Sequence, residues 1–522
     1  MDVFTSLPFD VFLLIISYLS PAETILCRRV SRSWKAVFTS DEVSWKLMRW
    51  HFPRVREMRN PAGALDRSAY AHVFPKVARR YFHLRSARPR LIERIDIDAE
   101  VSKPGSWFYE VEPWNRHLRW KSVTSPFQHR DASWCFDDGL LVYRASESSG
   151  YVAYDLETGH RIPVPFDGVD RIVRRVRLAH GILLIEWCEW EPYCRSDSGK
   201  AIHRHFATAF DVQRPAESGL SDGAGPGSWE IRFRSEWKLH RLGLPLNHQD
   251  RFFSAHTATH YVVYVWQQNG VPHNGEEPAE ELTIWEINHA SEYRPSEDSA
   301  GAEMPDNAQP QPRVARAFAG HELDILDIRQ GRTPMLREIL LDEANVYFHE
   351  ERHGWLAGYH TSSPPPRHHS VRATGIPLSG IGPRWFDECC ADGGDIYLSF
   401  CPRAGSAART GDGGGAPDRF DGGWPGYAPC WRHEEFPYLT VSSVVDARAG
   451  VRIAARRCSM IEAVSSFVRP KISLRTESHE AHEVRFADDL WKQLLGRGKI
   501  AGDERWVVGE DGDGGSITIV RF

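Results

Sequence analysis

Lysine is scarce in this chain: ten residues against 54 arginines in a total of 522, and none between Lys238 and Lys471. Cysteine is sparse too, nine residues, odd in number and scattered, with Cys389 and Cys390 adjacent. That spacing is no disulfide framework and points to a reducing compartment. No apolar run approaches the roughly 18 residues of a membrane span. Val11 to Ile16 imitates a signal-peptide core, but the residues leading into it include Asp2 and Asp10 and no Lys or Arg. A secretory signal begins with positive charge, so the expectation is a soluble protein of the cytoplasm or nucleus with no membrane partner. Net charge is small, −6 from 64 basic and 70 acidic residues, and this argues against nucleic-acid binding by bulk electrostatics. What is plentiful is apolar and aromatic matter, 41% hydrophobic residues including 19 Trp, which excludes a wholly disordered chain. At roughly 100–200 residues per domain the length calls for two or more units, unless repeats absorb it.

The first fifty residues read as short helices with explicit start signals. Pro8 suits a first helical turn, where its missing N–H costs nothing. From Asp10 to Leu19 the residues Val11, Leu14, Ile15 and Tyr18 fall on one helical stripe, and Leu19 extends it. Ser20-Pro21-Ala22-Glu23 spells a capping box with proline at its second position. Ser31 can cap a third helix carrying Trp34, Val37 and Phe38, and Ser40-Asp41-Glu42 opens a fourth with acidic residues at its N-terminus. So small a unit cannot bury all this apolar surface on itself. It docks a partner, or it packs on the main body.

The order of residues says more. Leu7-Pro8-Phe9-Asp10-Val11, then Ile15, Tyr18-Leu19, Arg29-Val30-Ser31-Arg32-Ser33-Trp34 and finally Trp45 are similar to the F-box motif over about 45 residues. One stretch departs from it: Thr24 to Arg28 stands where the family is commonly Leu-rich. The resemblance implies docking to a Skp-type adaptor, and through it to a cullin–RING ubiquitin ligase, with the rest of the chain recruiting an unknown protein substrate. Carried over by position, Leu7, Pro8, Asp10, Val11, Ile15, Leu19, Val30 and Trp34 are the expected adaptor-binding residues. For Val30 and Trp34 helix-bundle core is an equal alternative, whereas Leu7 and Pro8 favour the interface.

Residues 1–52 are thus the expected F-box and 53–94 a basic helical linker, with Arg79-Arg80, Arg85, Arg88, Arg90 and Arg94. Residues 1–95 carry +9 and the remainder −15. The basic run reads as a solvated helical spacer, with a nuclear-localisation or nucleic-acid patch as the sharper reading. From about residue 95 the texture changes to short strands. Trp134 to Tyr143 holds an Asp-Asp-Gly turn between apolar runs, Tyr151 to His160 follows, and the theme recurs at 180–187, 261–266, 282–287, 345–348, 395–400 and 516–522. The unit suits stacked four-stranded blades, so residues 95–522 are expected to form an all-β body, a degenerate β-propeller of six to eight irregular blades resembling those behind fungal F-boxes. A C-terminal strand would close the ring by pairing with early strands, removing exposed edges. A different all-β or an α/β body is the alternative. Polar breaks at 213–228, 291–313 and 403–426 read as surface loops.

Catalytic and metal signals are weak. Cys188 and Cys194 lack a matching second pair for zinc. Asp511-Gly512-Asp513-Gly514-Gly515 starts like a calcium loop, but Phe522 stands where a glutamate is required, so a hairpin turn is the better account. No phosphate-binding, nucleophile-elbow or zinc-protease motif falls in proper context. The expectation is a non-catalytic subunit with no cofactor and no metal. A scaffold acting with the adaptor outside ubiquitination, or a propeller enzyme with an appended F-box, are the runners-up. The lysine-free stretch suits a subunit held beside activated ubiquitin, although an Arg-, Ala-, Gly- and Pro-rich composition accounts for it as well.

Overall fold

The computed structural model describes residues 4–59, 69–97, 133–146, 150–196, 199–214, 229–240, 243–246, 250–267, 277–298, 312–331, 336–355, 367–379, 385–389, 438–446, 448–458, 471–476, 482–487, 490–494, 500–511 and 515–522. Local chemistry sets the N-terminal helices. After a 3-10 turn at Phe4–Ser6, α1 (Phe9–Ile16) is entered from Pro8. At α2 (Pro21–Cys27) the capping box is complete: Glu23 N–H donates to the Ser20 hydroxyl at 3.2 Å, and Ser20 N–H donates to the Glu23 carboxylate at 2.8 Å. Ser31 caps α3 (Arg32–Phe38) by accepting from Trp34 N–H at 3.1 Å. α4 (Asp41–His51) follows Ser40 and carries Asp41 and Glu42 in its first turn. A short α5 (Arg56–Arg59) and the longer α6 (Tyr70–Ser86) complete the helical part. No helix among the described residues is long and apolar enough to cross a membrane.

α6 is not a solvated spacer. Tyr70, Phe74 and Val77 join Phe12, Ile16, Phe38, Leu47 and Phe52 in one core. Farther along, Leu84 and the left-handed Ala87 pack with Val444, Ile453 and Val507 of the strands. The basic residues that suggested a solvated face alternate with these apolar ones, so α6 serves two cores at once. Strand structure also begins earlier than expected, at β1 (Leu91–Asp96).

Six four-stranded antiparallel sheets and one three-stranded sheet follow among the described residues. The first holds β2 (Cys135–Asp137), β3 (Leu140–Arg144), β4 (Tyr151–Asp155) and β5 (Arg161–Pro163) in chain order. Asp138 (φ 47°) and Gly139 (φ 84°) make its first turn, the two left-handed residues that a tight hairpin needs. β6 (Arg171–Ala179), β7 (Ile182–Glu189), β10 (His205–Gln213) and β11 (Glu230–Lys238) form the second sheet. Beside it lie the short β8 (Cys194–Arg195), β9 (Ala201–His203) and β12 (Leu244–Pro245). The third runs β13 (Arg251–His256), β14 (His260–Gln267), β15 (Ala279–Glu286) and β16 (Arg313–Ala319). The fourth runs β17 (Leu336–Leu341), β18 (Asn345–Trp355), β19 (Arg367–Pro377) and β20 (Trp385–Cys389). The fifth runs β21 (Tyr438–Asp446), β22 (Val451–Cys458), β23 (Lys471–Thr476) and β24 (His482–Arg485). The sixth joins both ends of the body: β1 pairs with β27 (Ser516–Arg521), then β26 (Trp506–Glu510) and β25 (Ile500–Gly502).

Alternation along the strands places the cores between sheets. In β7, Leu183, Ile185 and Trp187 face Val142 and Ala153 of the first sheet, whereas Ile182, Leu184 and Cys188 join Phe252 and Tyr261 of the third. Its residues from Ile182 to Cys188 are buried throughout because both faces are covered. β14 repeats the pattern, sending Val262 and Tyr264 toward Ile339 and Phe348 of the fourth sheet. The sixth sheet shares one core with the fifth, through Val507 and Val520, and another with the first, through Val508 and Ile519.

Of the polar breaks, 215–228, 299–311 and 403–426 lie outside the described residues, as does the strand expected at 395–400. Residues 291–298 run against β11 rather than out into solvent. Ser291 N–H donates to the Arg234 carbonyl at 2.8 Å, and Ser296 N–H donates to Glu236 at 3.0 Å.

Candidate functional site

α1 is apolar apart from Asp10 in its first turn, so packing must choose which face it buries. It buries Phe12 and Ile16 and leaves Val11, Leu14 and Ile15 outside, with Leu14 at 61% exposure and Tyr18, just beyond the helix, at 83%. Leu26 near the end of α2 is 57% exposed, and Val30 beyond it 62%. The helical core is already closed beneath them by α4 and α6. These side chains therefore have no intramolecular reason to be apolar, the mark of a surface kept for a partner.

The eight expected site residues divide into two groups. Pro8, Asp10, Val11, Ile15 and Val30 are exposed. Pro8 precedes α1, its carbonyl accepting from Phe12 N–H at 3.0 Å, and Asp10 lies in the first turn of α1. Leu7, Leu19 and Trp34 are half-buried against the helical core. Trp34 stacks on Phe4 at a centroid separation of 4.6 Å and on Phe38 at 5.7 Å, so much of its surface is spent on the fold. Phe9, Leu14, Tyr18 and Leu26 are exposed apolar residues of the same segment outside that set of eight. The stripe that held Leu14 and Tyr18 was visible in the sequence; its orientation was not.

Residues 4–46 match the F-box domain family. The helical part carries an F-box domain. No curated protein matches the chain. Among solved structures, a chain of a mitotic checkpoint complex is similar at 9% identity and TM-score 0.26, covering 83% of this chain and 94% of that one. A chain from the complex of Drosophila Plexin A with Semaphorin 1b is similar at 9% identity and TM-score 0.20, covering 76% of this chain and 64% of that one. Likenesses at these scores carry no argument about the fold. F-box domains bind Skp-type adaptors, and the exposed α1 face lies within the matched segment.

A second feature sits where the F-box side meets the sheets: a cavity of about 1020 Å³ lined by α5, by the β2–β3, β6–β7, β21–β22 and β25–β26 turns and by the end of β10. Arg56 on α5 grips Asp138 with both guanidinium nitrogens, one of them at 2.9 Å. Arg505 reaches Asp138 at 3.1 Å and Asp503 at 2.7 Å. Arg59 faces Asp446 at 3.6 Å and Glu504 at 3.5 Å. Apart from Arg505 and Asp503, the partners are 82 to 448 positions apart in the chain, and no local spacing announces them.

Proposed function

We propose that this protein is the substrate-recognition subunit of an SCF-type ubiquitin ligase. The F-box docks a Skp-type adaptor, which brings a cullin–RING assembly, and the β-rich body holds a protein target. The observation that carries this reading is the set Leu14, Tyr18, Leu26 and Val30, left outside a helical core that is complete without them. The F-box match over residues 4–46 supports it.

The body is read as a six-bladed β-propeller. Among the described residues there are six four-stranded antiparallel sheets, five of them successive in the chain, and pairing of β1 with β27 in the sixth supports closure of the ring by its own two ends. Cores shared between the first four sheets in succession, and by the sixth with both the fifth and the first, support the same arrangement. In this reading the domains are the F-box at 1–52, the helical connection at 53–94 and the propeller at 95–522, and the compartment is the cytoplasm or nucleus. The mechanism is proximity: a target held near the charged conjugating enzyme reacts at a raised effective concentration, and the bond chemistry belongs to the partners.

Co-expression of the full chain with a Skp-type adaptor and a cullin tests the reading. The wild type retains both through affinity purification. A Leu14→Asp/Tyr18→Asp variant loses them at an unchanged melting temperature, because both side chains lie outside the core. An adaptor that fails to co-purify with the wild type overturns the proposal. Adaptor without cullin favours a scaffold acting outside ubiquitination.

A further inference from the structure

We propose that the cavity between α5 and the sheet turns is the target-recognition site of the body, and that it takes a basic side chain of an extended protein segment with Asp137 as the counter-charge. This rests on the receptor reading above and names the chemistry of the target. At about 1020 Å³ the cavity accommodates a few side chains but not a folded domain.

The charge inventory of the walls sets the sign of the occupant. Arg56, Arg59 and Arg505 are each held by the protein's own carboxylates, Asp138, Asp446, Asp503 and Glu504. Arg214 is taken up by Asp155 at 2.8 Å and Glu157 at 3.2 Å. An incoming anion must displace one of these pairs to reach any of these four arginines. Asp137 is in the opposite position: it lines the cavity half-buried, and its carboxylate makes no hydrogen bond or ion pair among the described residues. Burial pushes its carboxyl above the usual range and Asp503 adds to this, against the pull of His180, Arg56 and Arg505. A ligand cation would pair with that carboxylate and relieve the cost of its burial. Arg448 also lines the cavity without an ion pair among the described residues, but it is exposed, where water weakens any pairing with an anion.

The rest of the wall suits such a side chain. Phe136, Leu178 and Val212 offer apolar surface to the methylene stem of Lys or Arg while the head reaches Asp137. At longer range, residues 96–522 carry −15, which steers a basic segment toward the body.

The test uses the full chain and fluorescein-labelled Gly/Ser dodecapeptides with three central Arg or three central Glu, read by fluorescence anisotropy. The basic peptide binds about ten-fold more tightly than the acidic one, and Asp137→Asn removes about that factor, the usual worth of one charge-assisted contact. Glu191→Gln, which removes an exposed acid outside the cavity, leaves binding unchanged. Equal or tighter binding of the acidic peptide overturns the proposal, and so does an equal effect of Asp137→Asn and Glu191→Gln. Photo-crosslinking of the basic peptide to the wild-type chain needs no variant to fold: crosslinks at 136–138, 178–181 or 502–505 support the site, and crosslinks confined elsewhere overturn it. An adaptor pull-down with the same wild-type chain separates the two readings. Peptide binding without any adaptor binding by the wild type sinks the receptor reading and leaves the cavity standing. Adaptor binding without preference for the basic peptide does the reverse.

Discussion

The phenol of Tyr81 donates to Glu504 at 2.8 Å, joining α6 of the helical part to the β25–β26 turn 423 residues away. The same carboxylate accepts from Arg56 N–H at 3.1 Å and faces Arg80 at 3.4 Å and Arg59 at 3.5 Å. Arg80 in turn forks onto Glu57, both contacts at 2.9 Å. Burial and the neighbouring Glu504 charge raise the Tyr81 hydroxyl pKa, so it stays a donor. α5, α6 and the last sheet thus meet at one carboxylate that is almost wholly buried. This contact fixes the direction of the F-box relative to the cavity.

Glu504→Ala removes that hub and leaves Arg59, Arg80 and Tyr81 facing each other in a buried space. The expected cost is about 3–5 kcal/mol, the usual result of breaking a buried ionic contact from one side. Denaturant unfolding reads the loss. Limited trypsin digestion adds a local readout, with cleavage at Arg85, Arg88 or Arg90 appearing in the variant and not in the wild type.

Within the F-box, the last residue of α1 and the residue two positions beyond it give opposite outcomes. Ile16→Ala empties a fully buried site and costs about 2–5 kcal/mol. Tyr18→Ala, two residues on, stays within about 0.5 kcal/mol. Trp34→Ala breaks the stack with Phe4 and Phe38 and lowers the melting temperature. Its effect on adaptor binding therefore needs comparison with the Tyr18 variant, whose fold is intact. Thermal melts run beside adaptor pull-downs check all three.

Features governed by neighbours in the chain were legible in the sequence. Ser20 with Glu23, Ser31 before Trp34, and the Asp138-Gly139 turn are short-range bonds or backbone preferences, and each lies where its residues point. The C-terminal strand was legible from its apolar run, and its pairing with an early strand follows from the need to cover an edge. The orientation of α1 was not legible, because a helix apolar apart from Asp10 carries little directional signal; the rings of Phe4 and Phe38 pack on Phe12 and turn it in, and Leu14 turns out. The role of α6 was hidden for a related reason. Its arginines looked like a solvated face until Arg80 met Glu57 and Glu504 inside the protein. The cavity was the least legible feature, since Arg56, Asp138 and Arg505 are ordinary residues until folding brings three distant segments together.

Between the second and third sheets, Glu186 accepts from Arg174 at 2.8 and 2.6 Å and from the Ser254 hydroxyl, while Arg175 donates to Ser254 at 2.8 Å and to the Phe252 carbonyl at 3.0 Å. A register shift in β6 between Val173 and Arg175 lets consecutive arginines both enter this interior. Burial alone would raise the Glu186 pKa, but Arg174 and Arg175 hold it down at about 2. Arg174→Ala leaves a buried carboxylate without its main partner and costs about 3–5 kcal/mol. Arg174→Met with Glu186→Leu costs less than the two single changes added together, because Arg174 and Glu186 no longer strand each other. A double-mutant cycle by urea unfolding measures the difference.

Acid sensitivity begins above the carboxylate range. His205 is held down to about 3, by burial first and then by Arg174, and its Nε2–H donates to the Leu244 carbonyl at 3.3 Å. His256 is held down to about 4, by burial and then by Arg177, with Nε2–H donating to the Ile182 carbonyl at 3.2 Å. His51 is lowered too, by burial and by Arg85. Each therefore binds a proton less readily folded than unfolded, so below about pH 6.5 the unfolded chain takes up more protons and stability falls as pH falls. At pH 5 the loss from each of His205 and His256 is about 2 kcal/mol. Glu186 adds nothing there, because its contribution is lost only as pH falls from about 4.5 toward 2. Unfolding free energies between pH 7 and pH 5 therefore read the histidines apart from Glu186. His256→Gln flattens that slope by about 1.4 kcal/mol per pH unit at its acid end; an unchanged slope would assign the sensitivity to other groups.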